Sequence, residues 1–215
     1  MLDPRQPVLY VAQGGTGDGS AEDSPLGSIE EALRIAAPGA QIAIRGVHNL
    51  GGALRLEQPV TLVGECSSRT LLLTADREEV SAEIAADDVV LRDLTLANGA
   101  PDPRYLVVAA GVRGGLVGVE LFGVPLHLAA GAEVTASYVR ISLQGAVDLD
   151  SAAVVLEEEA TFDGHHVEIR DGLTGCADVA PGASLALDRS HLAYCAGALV
   201  TGTGACASAR RSSIT

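Results

Sequence analysis

The sequence predicts an all-β chain that forms a right-handed parallel β-helix, a three-faced solenoid, with a short N-terminal capping α-helix. Three observations predict it: repeated short apolar alternations, a composition rich in small and branched aliphatic residues, and a capped helix placed before the repeats. We expect residues 1–38 to hold an N-terminal strand, a Gly-rich loop and the capping helix. Residues 39–215 are expected to form one continuous domain of coils that continues past, or is uncapped at, its C-terminus.

The repeats contain three series of short alternations, in which two inward apolar residues flank an outward one. In the first series, the starting residues are spaced by 25, 20, 28 and 25 positions: Leu94-Thr-Leu96, Val119-Glu-Leu121, Val139-Arg-Ile141, Val167-Glu-Ile169 and Leu192-Ala-Tyr194. The second series contains Leu126-His-Leu128, Val147-Asp-Leu149, Ala177-Asp-Val179 and Ala198-Leu-Val200. The third contains Gly131-Ala-Glu-Val134, Gly182-Ala-Ser-Leu185 and Gly204-Ala-Cys-Ala207. Three strands per period predict a coil with three faces. A β-sandwich needs paired hairpin turns, and only Asn98-Gly99 offers one.

Composition and charge exclude several classes of function. The chain is 47% hydrophobic but only 3% aromatic, which suits thin, regularly stacked layers. Its net charge of −14 would repel nucleic acid. The apolar runs are shorter than the roughly 18 to 20 residues that cross a bilayer, so we expect no membrane span. Residues 1–7 lack the regions of a secretory signal, and we expect a secreted or cell-surface protein whose signal has been removed.

A capping helix is predicted shortly before the repeats begin. The run Ser28-Ile-Glu-Glu31 is a capping-box pattern, and Pro38-Gly39 stops the helix. The apolar residues on one side of this helix are Ile29, Ala32, Leu33 and Ala36. Because an open solenoid end exposes unpaired backbone groups, we expect this stripe to cover the first coil.

The order of motifs in the N-terminal third resembles the start of pectate-lyase-like right-handed β-helix proteins. The matching residues are Tyr10-Val-Ala12, the Gly-rich loop, Ser24-Pro-Leu-Gly-Ser-Ile29, Glu31-Ala-Leu33, Pro38-Gly-Ala40 and Pro59-Val-Thr-Leu-Val-Gly64. The resemblance implies the fold more than an activity. Enzymes of this superfamily bind Ca²⁺ through stacked acidic side chains and use a nearby Arg or Lys as the base. No matching basic residue can be assigned here, and the sequence signatures of the lyases are absent, so no specific enzyme family is matched.

One column of outward residues collects polar types and is the candidate binding site. It contains Glu120, Tyr138, Arg140, His166, Glu168 and His191. Because neighbouring coils lie about 4.8 Å apart, these side chains are within reach of one another. One interpretation is a shallow strip in which the rings stack on a sugar while Arg140 and the glutamates bind its hydroxyl groups or a carboxylate. The alternative is an exposed charge ladder that only satisfies surface positions.

The second series supplies a candidate metal site. Asp148 and Asp178 would lie outward on adjacent coils, with Asp150 one pleat further, and two stacked carboxylates suit Ca²⁺. Glycoside hydrolases of this fold use clustered carboxylates as acid and base, and these three residues are the candidates for such chemistry. Acidic outward residues are also expected simply from the net charge, so we assign no catalytic residue.

Two short motifs and the cysteines are interpreted structurally. His165-His166 lacks a third zinc ligand, and adjacent strand residues are expected to point to opposite sides. The loop 14–19 has no Gly-Lys-Ser/Thr ending and is expected to be a flexible loop instead of a phosphate site. The four cysteines match no CxxC metal spacing, which leaves either buried thiols or a Cys176–Cys195 disulfide between neighbouring coils.

The sequence therefore favours a non-catalytic secreted or surface module that binds a polysaccharide or a surface protein, or a structural spacer. The first alternative is a polysaccharide lyase or hydrolase with stacked carboxylates. The second is a structural protein that forms end-to-end homo-oligomers by parallel strand addition at an open end.

Overall fold

A computed structural model of the chain describes residues 2–74, 80–99, 104–144, 152–172, 174–195, 199–201 and 205–214. Every strand pair within these residues is parallel, and each coil contributes one strand to sheets A, B and C in turn. This arrangement is the right-handed parallel β-helix that the sequence predicts. It excludes the antiparallel sandwich, which would need hairpin-connected neighbours.

The three sheets run the length of the solenoid. Nine described strands form sheet A: β1 Val8–Ala12, β2 Ala40–Arg45, β5 Val60–Gly64, β8 Val89–Arg92, β11 Arg113–Val117, β14 Glu133–Ser137, β17 Thr161–His165, β20 Ser184–Asp188 and β23 Cys206–Arg210. Eight form sheet B: β3 Val47–Leu50, β6 Leu71–Thr74, β9 Thr95–Asn98, β12 Glu120–Phe122, β15 Arg140–Ser142, β18 Glu168–Arg170, β21 His191–Ala193 and β24 Ser213–Ile214. Seven form sheet C: β4 Leu54–Leu56, β7 Val80–Ile84, β10 Tyr105–Val108, β13 Leu126–Leu128, β16 Val154–Leu156, β19 Ala177–Val179 and β22 Leu199–Thr201.

The helix α1, Ile29–Ile35, packs against the first coil as expected. The Ser28 hydroxyl accepts a hydrogen bond from the Glu31 backbone N–H at 3.2 Å, which is the predicted N-cap. Ile29 and Ala32 are buried, and Leu33 and Ala36 pack against the core. Strand β1 pairs with β2, so the N-terminal strand is part of sheet A. No helix in the described ranges is both long and apolar enough to cross a membrane.

The chain turns from sheet A to sheet B through a residue in the left-handed backbone region, and these residues stack from coil to coil. We call this position the first corner. It is held by Asp93 (φ 54°), Gly118 (φ 65°), Tyr138 (φ 57°), His166 (φ 55°) and Arg189 (φ 52°). Side-chain-bearing residues seldom adopt this conformation, which favours Gly and, next, Asn or Asp. The side chains at the first corner point outward, beside the outer face of sheet B.

The predicted register of the first series is correct over four coils and wrong at the fifth. Leu121 pairs with Leu96 and Ile141, and Ile141 pairs with Ile169, all of them buried. Ile169 then pairs with Leu192, which was aligned with Val167 in the sequence prediction. His191 therefore lies beside Glu168, and Arg189 takes the corner position that follows His166.

The second series is also corrected. Strand β16, residues 154–156, pairs with both β13 and β19, in the position where the sequence alignment had the segment 147–149, which lies outside the described residues. In the last described coil, Val200 pairs with Asp178, where Leu199 was predicted. The third series keeps its predicted register, since Ser184 pairs with both Thr161 and Cys206, and Thr161 pairs with Glu133.

One disulfide ties the C-terminal coils together. Cys176, just before β19, is bonded to Cys195, just after β21, with the two Cα atoms 5.3 Å apart. Of the two alternatives left by the sequence, the structure selects the disulfide. Cys66 and Cys206 are free, and Cys206 is exposed.

Candidate functional site

The outer face of sheet B carries the predicted binding column in one continuous line. Glu120, Arg140, Glu168 and His191 occupy the same position on four successive strands. Arg140 lies between the two glutamates: its Nε donates to Glu168 Oε2 at 2.8 Å, and its NH1 nitrogen is 3.5 Å from Glu120 Oε1. We call these four residues, together with Tyr138 and His166 at the first corner, the sheet-B strip.

The ion pairs extend sideways from the strip. Arg170 lies within 3.6 Å of Glu168 and donates to Asp171 at 2.8 Å, and Asp171 accepts from the Ser142 hydroxyl at 2.9 Å. The hydrogen bond to Glu168 raises the pKa of Arg140 above its ordinary value, and the hydrogen bond to Asp171 does the same for Arg170. The ladder is therefore formed, with Arg140 paired to the glutamates on both neighbouring strands.

Two rings of the strip stack on each other at the first corner. The Tyr138 and His166 ring centroids are 4.9 Å apart, with planes only 9° from parallel. Tyr138 nevertheless stays 65% exposed, because His166 covers only one face of its ring. The other face is directed back toward the preceding coil, whose first-corner residue is Gly118. An exposed tyrosine ring combines an apolar face with a polar hydroxyl tip, which suits contact with a sugar ring.

A loop closes the N-terminal end of the strip. The carbonyl oxygen of Ser67 accepts a hydrogen bond from the Thr95 hydroxyl at 2.7 Å, so the loop between β5 and β6 lies over the strand before β12. Thr95 is buried beneath it. The resulting depression is lined by residues that include Ser67, Gly118, Glu120, Tyr138, Arg140 and His166. Most of the predicted binding residues thus share one concave surface.

Two residues beside this surface were not included among the predicted binding residues. Asp93 precedes Gly118 at the first corner, and its Oδ1 lies 2.5 Å from where a Cβ on Gly118 would be. Phe122 lies outward two residues after Glu120 and is 41% exposed. The alternation of the first series places Asp93 outward in the same column as Gly118, and the alternation that placed Glu120 outward also indicates Phe122.

Of the proposed calcium pair, only Asp178 is described. It is exposed on the outside of sheet C, and its register neighbours are Val155 and Val200. Asp148 and Asp150 lie outside the described residues, so the calcium pair stays a prediction. Within the described residues, no three His, Cys, Asp or Glu side chains are grouped to hold a metal ion.

The adjacent histidines lie on the same side, contrary to the sequence prediction. His165 is outward at the end of β17, and the left-handed backbone at His166 turns that ring outward too, so the ring centroids are 4.2 Å apart. His165 Nδ1 is 3.0 Å from Asp188 Oδ2, and Ser137 is the neighbour of His165 on the other side. The order Ser, His, Asp matches that of a nucleophilic triad, but no Ser137–His165 hydrogen bond is recorded in the described part of the chain. We assign no nucleophilic chemistry to it.

A second depression lies at the N-terminal end of sheet A. Tyr10, Ala43 and Val63 are register neighbours on its floor. At its rim, Arg45 pairs with Glu22 and, at 2.9 Å, with Glu65. Its polar groups are thus paired with each other, and it contains none of the sequence-predicted site residues.

The Gly-rich loop 14–19 lies near this depression. Close packing of its glycines explains the shape of the loop, and no bound phosphate is needed to account for it. The Gly17 N–H donates to the Pro25 carbonyl at 2.8 Å, and a Cβ on Gly17 would lie 2.3 Å from the Ser24 backbone. These glycines allow two chain segments to pack closely.

No protein-family model, curated protein or solved structure matches this chain.

Proposed function

We propose that the protein is a non-catalytic binding module that holds a saccharide against the sheet-B strip. The observation that carries this proposal is the open face of the Tyr138 ring, 65% exposed, beside a row of hydrogen-bonding side chains. The ring offers an apolar face for the C–H groups of a sugar, and Glu120, Arg140 and Glu168 offer acceptors and donors for its hydroxyl groups. The pectate-lyase-like resemblance adds a saccharide-binding precedent on the same fold, by analogy alone.

The Tyr138 side chain is not required by the fold at its corner. Glycine is the favoured residue at a φ of 57°, as at Gly118 one coil earlier. Among the described residues, the one ring that stacks on Tyr138 is that of His166. Removing the Tyr138 ring therefore leaves no cavity in the core.

We also propose that the module works outside the cytoplasm, because structural disulfides persist in oxidising compartments. Cys176–Cys195 is such a bond. Alkylation and mass spectrometry of protein taken directly from its native source would report its state. Two reduced thiols in the native protein would refute this placement.

The test of the binding function is a glycan array on the purified chain, with Ca²⁺ and with chelator, comparing wild type with Tyr138→Gly. The matched control is Tyr194→Gly, since Tyr194 is also exposed (76%) and left-handed (φ 56°) but follows the C-terminal end of β21, whereas Tyr138 precedes its strand at the first corner. We expect binding that does not require Ca²⁺, is lost in Tyr138→Gly and persists in Tyr194→Gly. An array without hits, or hits that survive Tyr138→Gly, would overturn the proposal. Cleavage of a bound glycan would replace it with the enzyme alternative.

A further inference from the structure

The open face of Tyr138 is one wall of a slot whose floor is Gly118. Because Gly118 has no side chain, nothing from its coil fills the space beside the ring. The residue on the far side is Asp93, two coils from Tyr138, or about 10 Å at the usual spacing between strands. Asp93 Oδ1 lies next to Gly118, because a Cβ atom on Gly118 would be only 2.5 Å from it. The slot therefore has an aromatic wall and a carboxylate wall.

Among the described residues, the carboxylate of Asp93 has no hydrogen-bond or ion-pair partner, and the residue is half-buried. Glu120 lies on β12, the neighbour of the strand β9 that follows Asp93. Its ion pair with Arg140 is long, with 3.5 Å between Glu120 Oε1 and the NH1 nitrogen of Arg140. Both groups only accept hydrogen bonds when ionised, so on the Asp93 side the slot presents acceptors.

The balance of charge around the slot is negative. Asp93, Glu120, Glu168 and Asp171 carry four negative charges, against two positive charges on Arg140 and Arg170, which are already paired with Glu120, Glu168 and Asp171. A uronate, which is the acidic sugar expected from the pectate-lyase-like resemblance, would be repelled here. A ring that carries an ammonium group would gain charge-assisted hydrogen bonds to Asp93 and attraction to the face of Tyr138.

We infer that the slot between Asp93 and Tyr138 selects amino sugars with a free, protonated amine. This inference rests on the proposed function, since it names the class of saccharide that the sheet-B strip binds. It assigns the recognition of the amine to Asp93 and the stacking of the ring to Tyr138.

Calorimetric titration with three tetrasaccharides tests the inference: glucosamine, N-acetylglucosamine and galacturonate oligomers, in mildly acidic buffer in which the amine is protonated. We expect the glucosamine oligomer to bind about tenfold more tightly than its N-acetylated form, and the galacturonate oligomer to bind most weakly. Asp93→Asn should reduce the tenfold preference to within about twofold, leaving the N-acetylated oligomer unaffected. Asn tolerates the left-handed backbone at this position, so this variant is expected to fold.

The matched control is Asp88→Asn. Asp88 has the same charge and the same left-handed backbone (φ 61°), is exposed, and lies in the same coil at the turn before β8, away from the slot. It should leave the preference unchanged. Equal losses in the two Asp→Asn variants, or equal binding of the glucosamine and N-acetylglucosamine oligomers, would overturn the inference while leaving saccharide binding in place. Binding of a lysine-rich peptide but of no oligosaccharide would refute both the inference and the proposed function.

Discussion

At the scale of single residues, left-handed corners decide where side chains appear on the surface. Glu159 has a φ of 60° just before the buried Ala160, at a turn where other coils have Gly111, Gly131 and Gly182. Its side chain is exposed, and the pairing of its coil does not depend on it. A side chain in this conformation is disfavoured by about 1 kcal/mol relative to glycine.

Glu159→Gly is therefore expected to raise the free energy of unfolding by about 0.5 to 1 kcal/mol. Urea denaturation followed by circular dichroism measures it. The control is Glu158→Gly, one residue earlier, where the backbone is not left-handed and the added flexibility should be neutral or destabilising. Equal effects of the two substitutions would contradict the assignment of strain to residue 159.

Asp18 illustrates a second effect at this scale. Its carboxylate accepts hydrogen bonds from the Ser20 hydroxyl at 2.7 Å and the Ser20 N–H at 3.0 Å, and these lower its pKa below the ordinary value of an aspartate. Because the folded-state pKa is lowered, the associated stabilisation is present above the ordinary pKa and is lost as the pH falls through the folded-state value.

A carbon-detected NMR titration should find Asp18 titrating below ordinary aspartates, and Ser20→Ala should return its pKa toward their range. A normal pKa for Asp18 in the wild type would mean that the loop is open in solution.

At the scale of strands, the outer ladder of sheet B contributes little to stability. Arg140 joins Glu120 and Glu168, but all three side chains are solvent-accessible, and exposed ion pairs contribute well under about 1 kcal/mol each. Arg140→Ala should therefore change the free energy of unfolding by less than about 1 kcal/mol while weakening saccharide binding. Chemical denaturation and a binding titration of the same sample test both parts. A loss of stability above about 2 kcal/mol would contradict the exposed ladder as well as the binding role.

The strands also set the limit of what the sequence predicts. Fold class, the N-cap at Ser28 and the register linking Glu120, Arg140 and Glu168 follow from alternation and turn residues alone. His191 was misplaced because a slip of two residues keeps every side chain on its own face, so alternation cannot detect it. Glycine marks the first corner at Gly118, but Arg189 holds the same corner without such a mark. The segment 147–149 alternates like a strand, yet β16 comes several residues later.

At the scale of the whole molecule, the disulfide reinforces the C-terminal coils. Cys176 and Cys195 are separated by 19 residues, and cross-linking a loop of that length stabilises a fold by about 3 kcal/mol through the unfolded chain. The double substitution Cys176→Ala with Cys195→Ala should lower the unfolding free energy by about 2 to 4 kcal/mol. Thermal and urea unfolding measure this loss. Cys66→Ala, at a free cysteine, is the control, and a loss of equal size there would contradict the assignment.

NMR mapping with the glucosamine tetrasaccharide tests whether the saccharide binds at the sheet-B strip. We expect backbone shift changes centred on Asp93, Gly118, Glu120, Tyr138 and Arg140, with none at the Tyr10 depression on sheet A. Changes confined to the Tyr10 depression, spread evenly over the acidic surface, or absent at saturating oligosaccharide would contradict it.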